Sequence, residues 1–193
     1  MAERFHRRSI RLKGYDYAQA GAYYVTVCTH QRAHLFGDVM NAAMVPSPAG
    51  AIVQRCWDSI PTHMPMVALD EFIVMPNHVH GIIVITDVAA AGAGIFRPAQ
   101  PPPDGSVGAG NFTPRRQPIA IMPKKSLGHI MQTFKAAVSR QAIRDGLMPR
   151  GTPIWQRGYY EHIIRDGDAH DRIAQYIRDN PANWPTDRFR RDR

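Results

Sequence analysis

Paired histidines, a tyrosine and a nearby amide are the residues in this chain whose spacing suits chemistry on a phosphate. His78 and His80 stand two apart at the head of an apolar run that reads as a strand. Strand side chains alternate between faces, so the two imidazoles share one face. Side by side they can chelate one divalent ion. Tyr176 and Asn180 are four apart in a segment that reads as a helix. They therefore share a helix face about one turn apart. A phenol can attack phosphorus, and an amide oxygen can serve a hard cation beside it. Each residue also has an ordinary reading. The histidines could be hydrogen-bonded at a sheet edge, and Tyr176 could pack its helix onto the sheet. Asn180 could cap a helix that stops at Pro181.

The elements that must position these groups follow from residue patterning. The run 22–29 (AYYVTVCT) is aromatic and β-branched and predicts a strand. Turn residues over 37–47 suggest a short hairpin. Ile52, Val53, Cys56, Trp57 and Ile60 recur at helical spacing and predict a helix over 49–60. Strands are expected over 67–74 and 78–85, separated by Met75-Pro76-Asn77. The second is almost continuously apolar after His80, as a central strand is. Ser126 reads as the N-cap of a helix running to about Asp145, with Ile130, Phe134, Ala137, Val138 and Gln141 as its buried stripe. A strand is expected over 159–164. Asp168 is the expected cap of a last helix that ends at Asn180-Pro181. Strand, helix, strand, strand, helix, strand is the βαββαβ order of an α+β ferredoxin-like sandwich with an antiparallel sheet. The extra C-terminal helix, which carries Tyr176, should lie against that sheet.

The domain reading is a basic arm over 1–16, a single domain over 17–185 and a basic tail over 186–193. A stretch at about 88–123, dense in Gly, Ala and Pro, interrupts the domain and reads as a flexible insertion. The net charge of +8 suits a polyanionic partner, because each phosphate contact releases counterions. Arg7, Arg8, Arg11 and Lys13 are the best candidate DNA-phosphate contacts, with a solvated arm as the alternative. Cys28 and Cys56 lie in apolar stretches without metal-ligand spacing and read as core residues. No run is long and apolar enough for a membrane span, and no secretory signal is visible, so a cytoplasmic location is expected.

The run Phe72-Ile73-Val74-Met75-Pro76-Asn77-His78-Val79-His80-Gly81-Ile82 resembles the His-hydrophobic-His signature of single-tyrosine HUH transposases, and more narrowly that of the REP-associated tyrosine transposases. Three further blocks resemble that family in the same order. They are Tyr23-Tyr24-Val25-Thr26-Val27, the stretch from Ile154-Trp155-Gln156 to Glu161-His162-Ile163-Ile164-Arg165, and Tyr176-Ile177-Arg178-Asp179-Asn180-Pro181. The resemblance implies that His78, His80 and Asn180 hold a divalent metal, Mg²⁺ or Mn²⁺. It implies that Tyr176 is the nucleophile, cutting single-stranded or hairpin DNA through a 5′-phosphotyrosine and rejoining it. The family includes monomers and homodimers, and the residues leave that choice open.

Tyr159 and Tyr160 are rival nucleophiles beside Glu161 and His162, which could support the site or only the sheet. Two other functions fit the same residues. One is a non-catalytic protein that binds structured DNA. The other is a phosphoesterase using metal-activated water. Both predict indifference to Tyr176→Phe.

Overall fold

The computed structural model describes residues 15–86 and 126–190. The expected arm at 1–16, with Arg7, Arg8, Arg11 and Lys13, and the expected insertion at about 88–123 lie almost wholly outside the described residues.

Six strands and four helices make up the described part. Strand β1 (Gly21–Cys28) leads to a hairpin of β2 (Gly37–Met40) and β3 (Ala43–Pro46). Helix α1 (Pro48–Asp58) follows, then the single turn α2 (Ile60–His63). Strands β4 (Val67–Met75) and β5 (His78–Ile85) form the second hairpin. Helix α3 (Leu127–Arg144), β6 (Tyr160–Ile164) and helix α4 (Gly167–Asn183) complete the order. The main sheet runs β4-β5-β1-β6, antiparallel throughout. With the β2–β3 hairpin set aside, this is the ferredoxin-like order. β5 is an interior strand, as its apolar run predicts.

The pleat sorts the sheet into two faces. Tyr23, Val25, Val27, Val79, Ile83 and Ile85 point to one side and join α1 and α3 in the larger core. Ile52, Val53 and Trp57 of α1 and Leu127, Ile130, Met131, Phe134 and Val138 of α3 are buried there. Each such side chain contributes roughly 1.5–3 kcal/mol on leaving water. Ala137 and Gln141, expected in the α3 stripe, are only half-buried; Met131 and Ala142 take their place. Gly81 sits under Trp57, whose ring stacks on Phe72 at 4.2 Å between centroids. A Cβ at Gly81 would lie 2.5 Å from Trp57 Cζ2, so only glycine lets the indole close on the sheet.

The opposite face is covered by α4, through a small cluster of Ala22, Tyr24, Ile82, Ile164, Ala174 and Ile177. The last helix thus lies against the sheet as expected, but its ends differ. Asp166, not Asp168, is the N-cap, accepting from Ala169 N at 2.7 Å. Asp168 falls in the first turn, where a negative charge suits the helix dipole. Nor does α4 stop at Asn180-Pro181. It continues to Asn183, because Pro181 lies within the final turn and removes one backbone donor without ending the helix. Exposed ion pairs tie α4 to β4: His170 Nε2 to Asp70 Oδ2 at 2.5 Å, and Arg178 to Glu71. Both acids sit where the β4–β5 register shifts, between Leu69 and Phe72. Among the described residues no helix is long and apolar enough to cross a membrane.

Candidate metal and nucleophile site

His78 and His80 lie on the α4 face of β5 and are fully buried. Their ring centroids are 4.5 Å apart. The β4–β5 turn supplies the partner that orients His78, and the neighbouring strand β1 supplies those of His80. Asn77 Nδ2 donates to the carbonyls of Arg32 (3.2 Å) and Phe189 (2.8 Å), which leaves Asn77 Oδ1 as an acceptor. His78 Nδ1 lies 2.8 Å from that oxygen and therefore carries the proton. His80 Nδ1 contacts Tyr24 Oη at 2.7 Å and Thr26 Oγ1 at 2.9 Å. Thr26 in turn donates to Tyr24 Oη at 3.0 Å.

Both Nε2 atoms are buried without a hydrogen-bond partner, and so is Asn180 Oδ1. An orphaned buried polar atom ordinarily costs free energy. With the Asn180 amide beside His78, the two imidazoles form a donor set suited to a divalent cation, each held from behind as metal-ligating histidines are. Burial drives the His78 pKa down to about 3; the nearby Asn180 amide pulls it up, and Arg32 and Arg188 push it down. Burial also takes His80 well below the ordinary histidine range, helped by His78 and Arg188. Both imidazoles are thus neutral at physiological pH, with lone pairs available.

Asp187 stands beside them. One ligand atom from each of His78, His80 and Asp187 lies within 4.8 Å of the others, so this His-His-Asp group could bind a metal. Asp187 follows the 3-10 turn Trp184–Thr186 and accepts from Phe189 N through Oδ1 at 2.6 Å. The same segment sets the Phe189 ring 4.7 Å from His78 and 5.8 Å from His80. Arg32 and Arg188 lie over that ring at 5.0 and 4.7 Å. The chain after α4 therefore folds back across the histidine pair, and Phe189 is buried.

Tyr176 extends from α4 over the same spot. Its ring is 5.3 Å from His80 and 6.4 Å from Tyr24. It is 41% exposed, so one side faces solvent while the other faces the histidines. Burial raises its pKa and the Asp187 carboxylate raises it further. Asn180, Arg188 and Tyr24 pull the other way without cancelling the rise. The phenol holds its proton at neutral pH.

The comparisons bear on the whole arrangement. No family model matches the chain. An uncharacterized protein of Haemophilus influenzae is 36% identical over 187 residues, which cover 95% of this chain and 93% of that protein. Among solved structures, a REP-associated tyrosine transposase bound to a REP hairpin matches with a TM-score of 0.54 at 16% identity. The match covers 92% of this chain and 74% of that one. The chain belongs to one family with the Haemophilus protein, and its fold is that of the REP-associated tyrosine transposases.

Within this transposase fold the structure brings His78, His80, Tyr176 and Asn180 together in one chain. It divides the other residues that sequence singled out between the two faces of the sheet. Tyr160 pairs with Thr26, which pairs with His80 on its other side, so Tyr160 shares the site's face. Tyr159 packs against the larger core instead. Glu161 pairs with Val25 and turns to that same opposite face, nearly buried. His162 is exposed on the edge strand and borders a separate depression with Tyr17 and Arg165. Asp187 and Arg188 were not singled out. They sit in a short segment with no periodicity, and only its fold-back gives them meaning.

Proposed function

We propose that this protein is a metal-dependent enzyme that cuts and rejoins single-stranded DNA through a covalent bond to Tyr176. The observation that carries the reading is a set of three unpartnered, buried ligand atoms, from His78, His80 and Asn180, beside a half-exposed tyrosine. His78 and His80 would hold Mg²⁺ or Mn²⁺, with Asn180 and the Asp187 carboxylate as oxygen ligands. When bound, the cation supplies positive charge that polarises the scissile phosphate and stabilises the leaving oxygen. Tyr24, Thr26 and Asn77 hold the two imidazoles by Nδ1, which leaves both Nε2 atoms for the cation. Asn180 steadies the Tyr176 phenol one helical turn away. Tyr176 Oη attacks phosphorus and gives up its proton, the P–O3′ bond breaks, and the departing 3′-oxygen takes up a proton in its place. The product is a 5′-phosphotyrosine with a free 3′-OH. The phosphodiester energy stays in the new bond, so a second 3′-OH can reverse the step without a nucleotide cofactor.

The matched transposase structure holds a REP hairpin, which supports hairpin DNA as the substrate proposed here. The net charge of +8 supports the same class of partner. With Tyr176, both histidines and Asn180 in one chain, a monomer contains a complete site.

The test is incubation with a single-stranded hairpin oligonucleotide and Mn²⁺, followed by a denaturing gel. A covalent protein–DNA band is expected, lost in EDTA and in Tyr176→Phe but retained in Tyr159→Phe and Tyr160→Phe. Cleavage that survives Tyr176→Phe without a covalent band would replace this reading with a water-using phosphoesterase. Hairpin binding without cleavage in Mn²⁺ would leave a structured-DNA-binding protein.

A further inference from the structure

We infer that the depression beside Tyr176 seats one unpaired nucleotide of the DNA strand, with its base stacked on Tyr160. The inference rests on the proposed DNA-cleaving function and names a subsite for it. The depression has a volume of about 540 Å³, and Tyr160, Ile173, Tyr176, Asn183 and Arg188 contribute to its wall. That volume is in the range of pockets that hold small ligands.

Tyr160 is the feature that neither the metal chemistry nor the core explains. It is 43% exposed, on a strand whose same-face neighbours are the exposed His162 and the buried Ile164. Its ring is held edge-on by Tyr24 at 6.2 Å. Its hydroxyl has no hydrogen-bond partner among the described residues. An aromatic ring fixed at one edge and open to a groove is the platform on which single-stranded nucleic acid stacks its bases. The sheet sets its distance from the chemistry. Tyr160, Thr26 and His80 occupy one row across β6, β1 and β5. Two strand spacings put Tyr160 roughly 10 Å from His80 along the sheet. A phosphate beside the histidines can therefore place an adjoining base over that ring.

The rest of the wall fits the same occupant. The exposed Asn183 amide has no partner among the described residues and offers both donor and acceptor to a base edge. Arg188 lies over the Phe189 ring, so its exposed guanidinium is held at the rim, where a backbone phosphate would pass. Ile173 adds an apolar side chain to the same wall. A base still paired in a duplex cannot offer its face to Tyr160, so the subsite selects an unpaired nucleotide next to the cleaved bond.

The test uses the full chain with Tyr176→Phe, so that no cleavage occurs, and reads fluorescence anisotropy. One probe is a hairpin with an unpaired single-stranded flank. The others are the same hairpin with an abasic site at each flank position in turn, and the hairpin without a flank. Tyr160→Ala is expected to weaken binding of the flanked hairpin about 5- to 150-fold, the range for losing one base–aromatic stack. Tyr160→Trp and Tyr160→Phe should restore it. The loss should disappear on the probe whose abasic site removes the stacked base. No change in Tyr160→Ala, or an equal loss on every probe, would overturn the inference. The covalent assay separates the two readings. An adduct formed normally in Tyr160→Ala with unchanged flank affinity sinks the subsite alone. Flank binding that depends on Tyr160, with no adduct in Mn²⁺, sinks the cleavage reading and leaves the nucleotide seat.

Discussion

Asn180→Leu is the substitution that most directly separates the cost of the site from its use. Asn180 is 1% exposed and its Oδ1 has no hydrogen-bond partner. Such an atom costs about 1–3 kcal/mol in the metal-free protein. Leucine keeps the branching with bulkier methyl groups and removes the orphan oxygen, so in EDTA the variant should be at least as stable as wild type, by up to about 1–2 kcal/mol. For a chain of this size that is a rise in Tm of roughly 2–8 °C. Metal should reverse the order. Mn²⁺ at a hundred times its Kd stabilises the wild type by about 2.7 kcal/mol. The variant, lacking an oxygen ligand, should gain far less. Urea denaturation in EDTA and in Mn²⁺ reads both effects. A variant less stable than wild type in EDTA by more than about 1 kcal/mol would mean that the amide is satisfied by the fold. Equal stabilisation of both proteins by Mn²⁺ would remove Asn180 from the metal shell.

Three further outcomes are expected. The metal-free protein should lose stability as pH falls from 6.5 towards 3. Its buried histidines resist protonation, with His78 at about 3, so the unfolded chain binds more protons throughout that window. Two such groups imply a slope of about 2.7 kcal/mol per pH unit below 6.5 and none above it; a flat urea midpoint between pH 5 and 7.5 would contradict their neutrality. Gly81→Ala should destabilise by at least 1–3 kcal/mol, because its Cβ would fall 2.5 Å from the Trp57 ring, and thermal unfolding reads this directly. For His170, partial burial lowers the pKa but the Asp70 and Asp171 carboxylates outweigh it and hold it raised. A raised pKa gives stability that is present below pH 6.5 and lost as pH rises through the folded value. Because the pair is partly exposed, His170→Ala should cost under about 1 kcal/mol at pH 6 and approach nothing at pH 9, by urea denaturation at both.

Much of this arrangement was legible in the residues because it depends on local rules. The run from His78 to Ile85 coincides with β5, and its apolar continuity foretold an interior strand. The Ser126 cap, the α1 stripe and the β4–β5 break at Pro76-Asn77 are signals spanning a few residues each. What escaped depends on contacts between distant segments. Asp166 and Asp168 are both plausible caps, and only the turn geometry before Gly167 chooses between them. Pro181 reads as a stop, yet packing of Ile177 and Asn180 against the sheet carries the helix two residues past it. Tyr159 and Tyr160 cannot be told apart by composition. Their fates follow from strand parity, which is set when Tyr160 pairs with Thr26. Asp187 has no local signature and becomes a candidate ligand only when residues 184–190 cross the site.

The two faces of the sheet divide the demands placed on this chain. The α1–α3 face holds nearly all the large buried side chains. The α4 face holds a six-residue cluster and concentrates the unsatisfied ligand atoms. Helix α4 is fastened by a few apolar contacts and by ion pairs in water, each worth little. An element with so few buried contacts belongs to the low-stability end of a structure, where local opening is easiest. The proposed role of Tyr176, to bond to a phosphate and later release it, needs a support of that kind. The cost of the buried, unpartnered site can be carried because the opposite face supplies most of the stability. Substitutions on the Trp57 side should therefore change stability first, and those on the Tyr176 side should change function first.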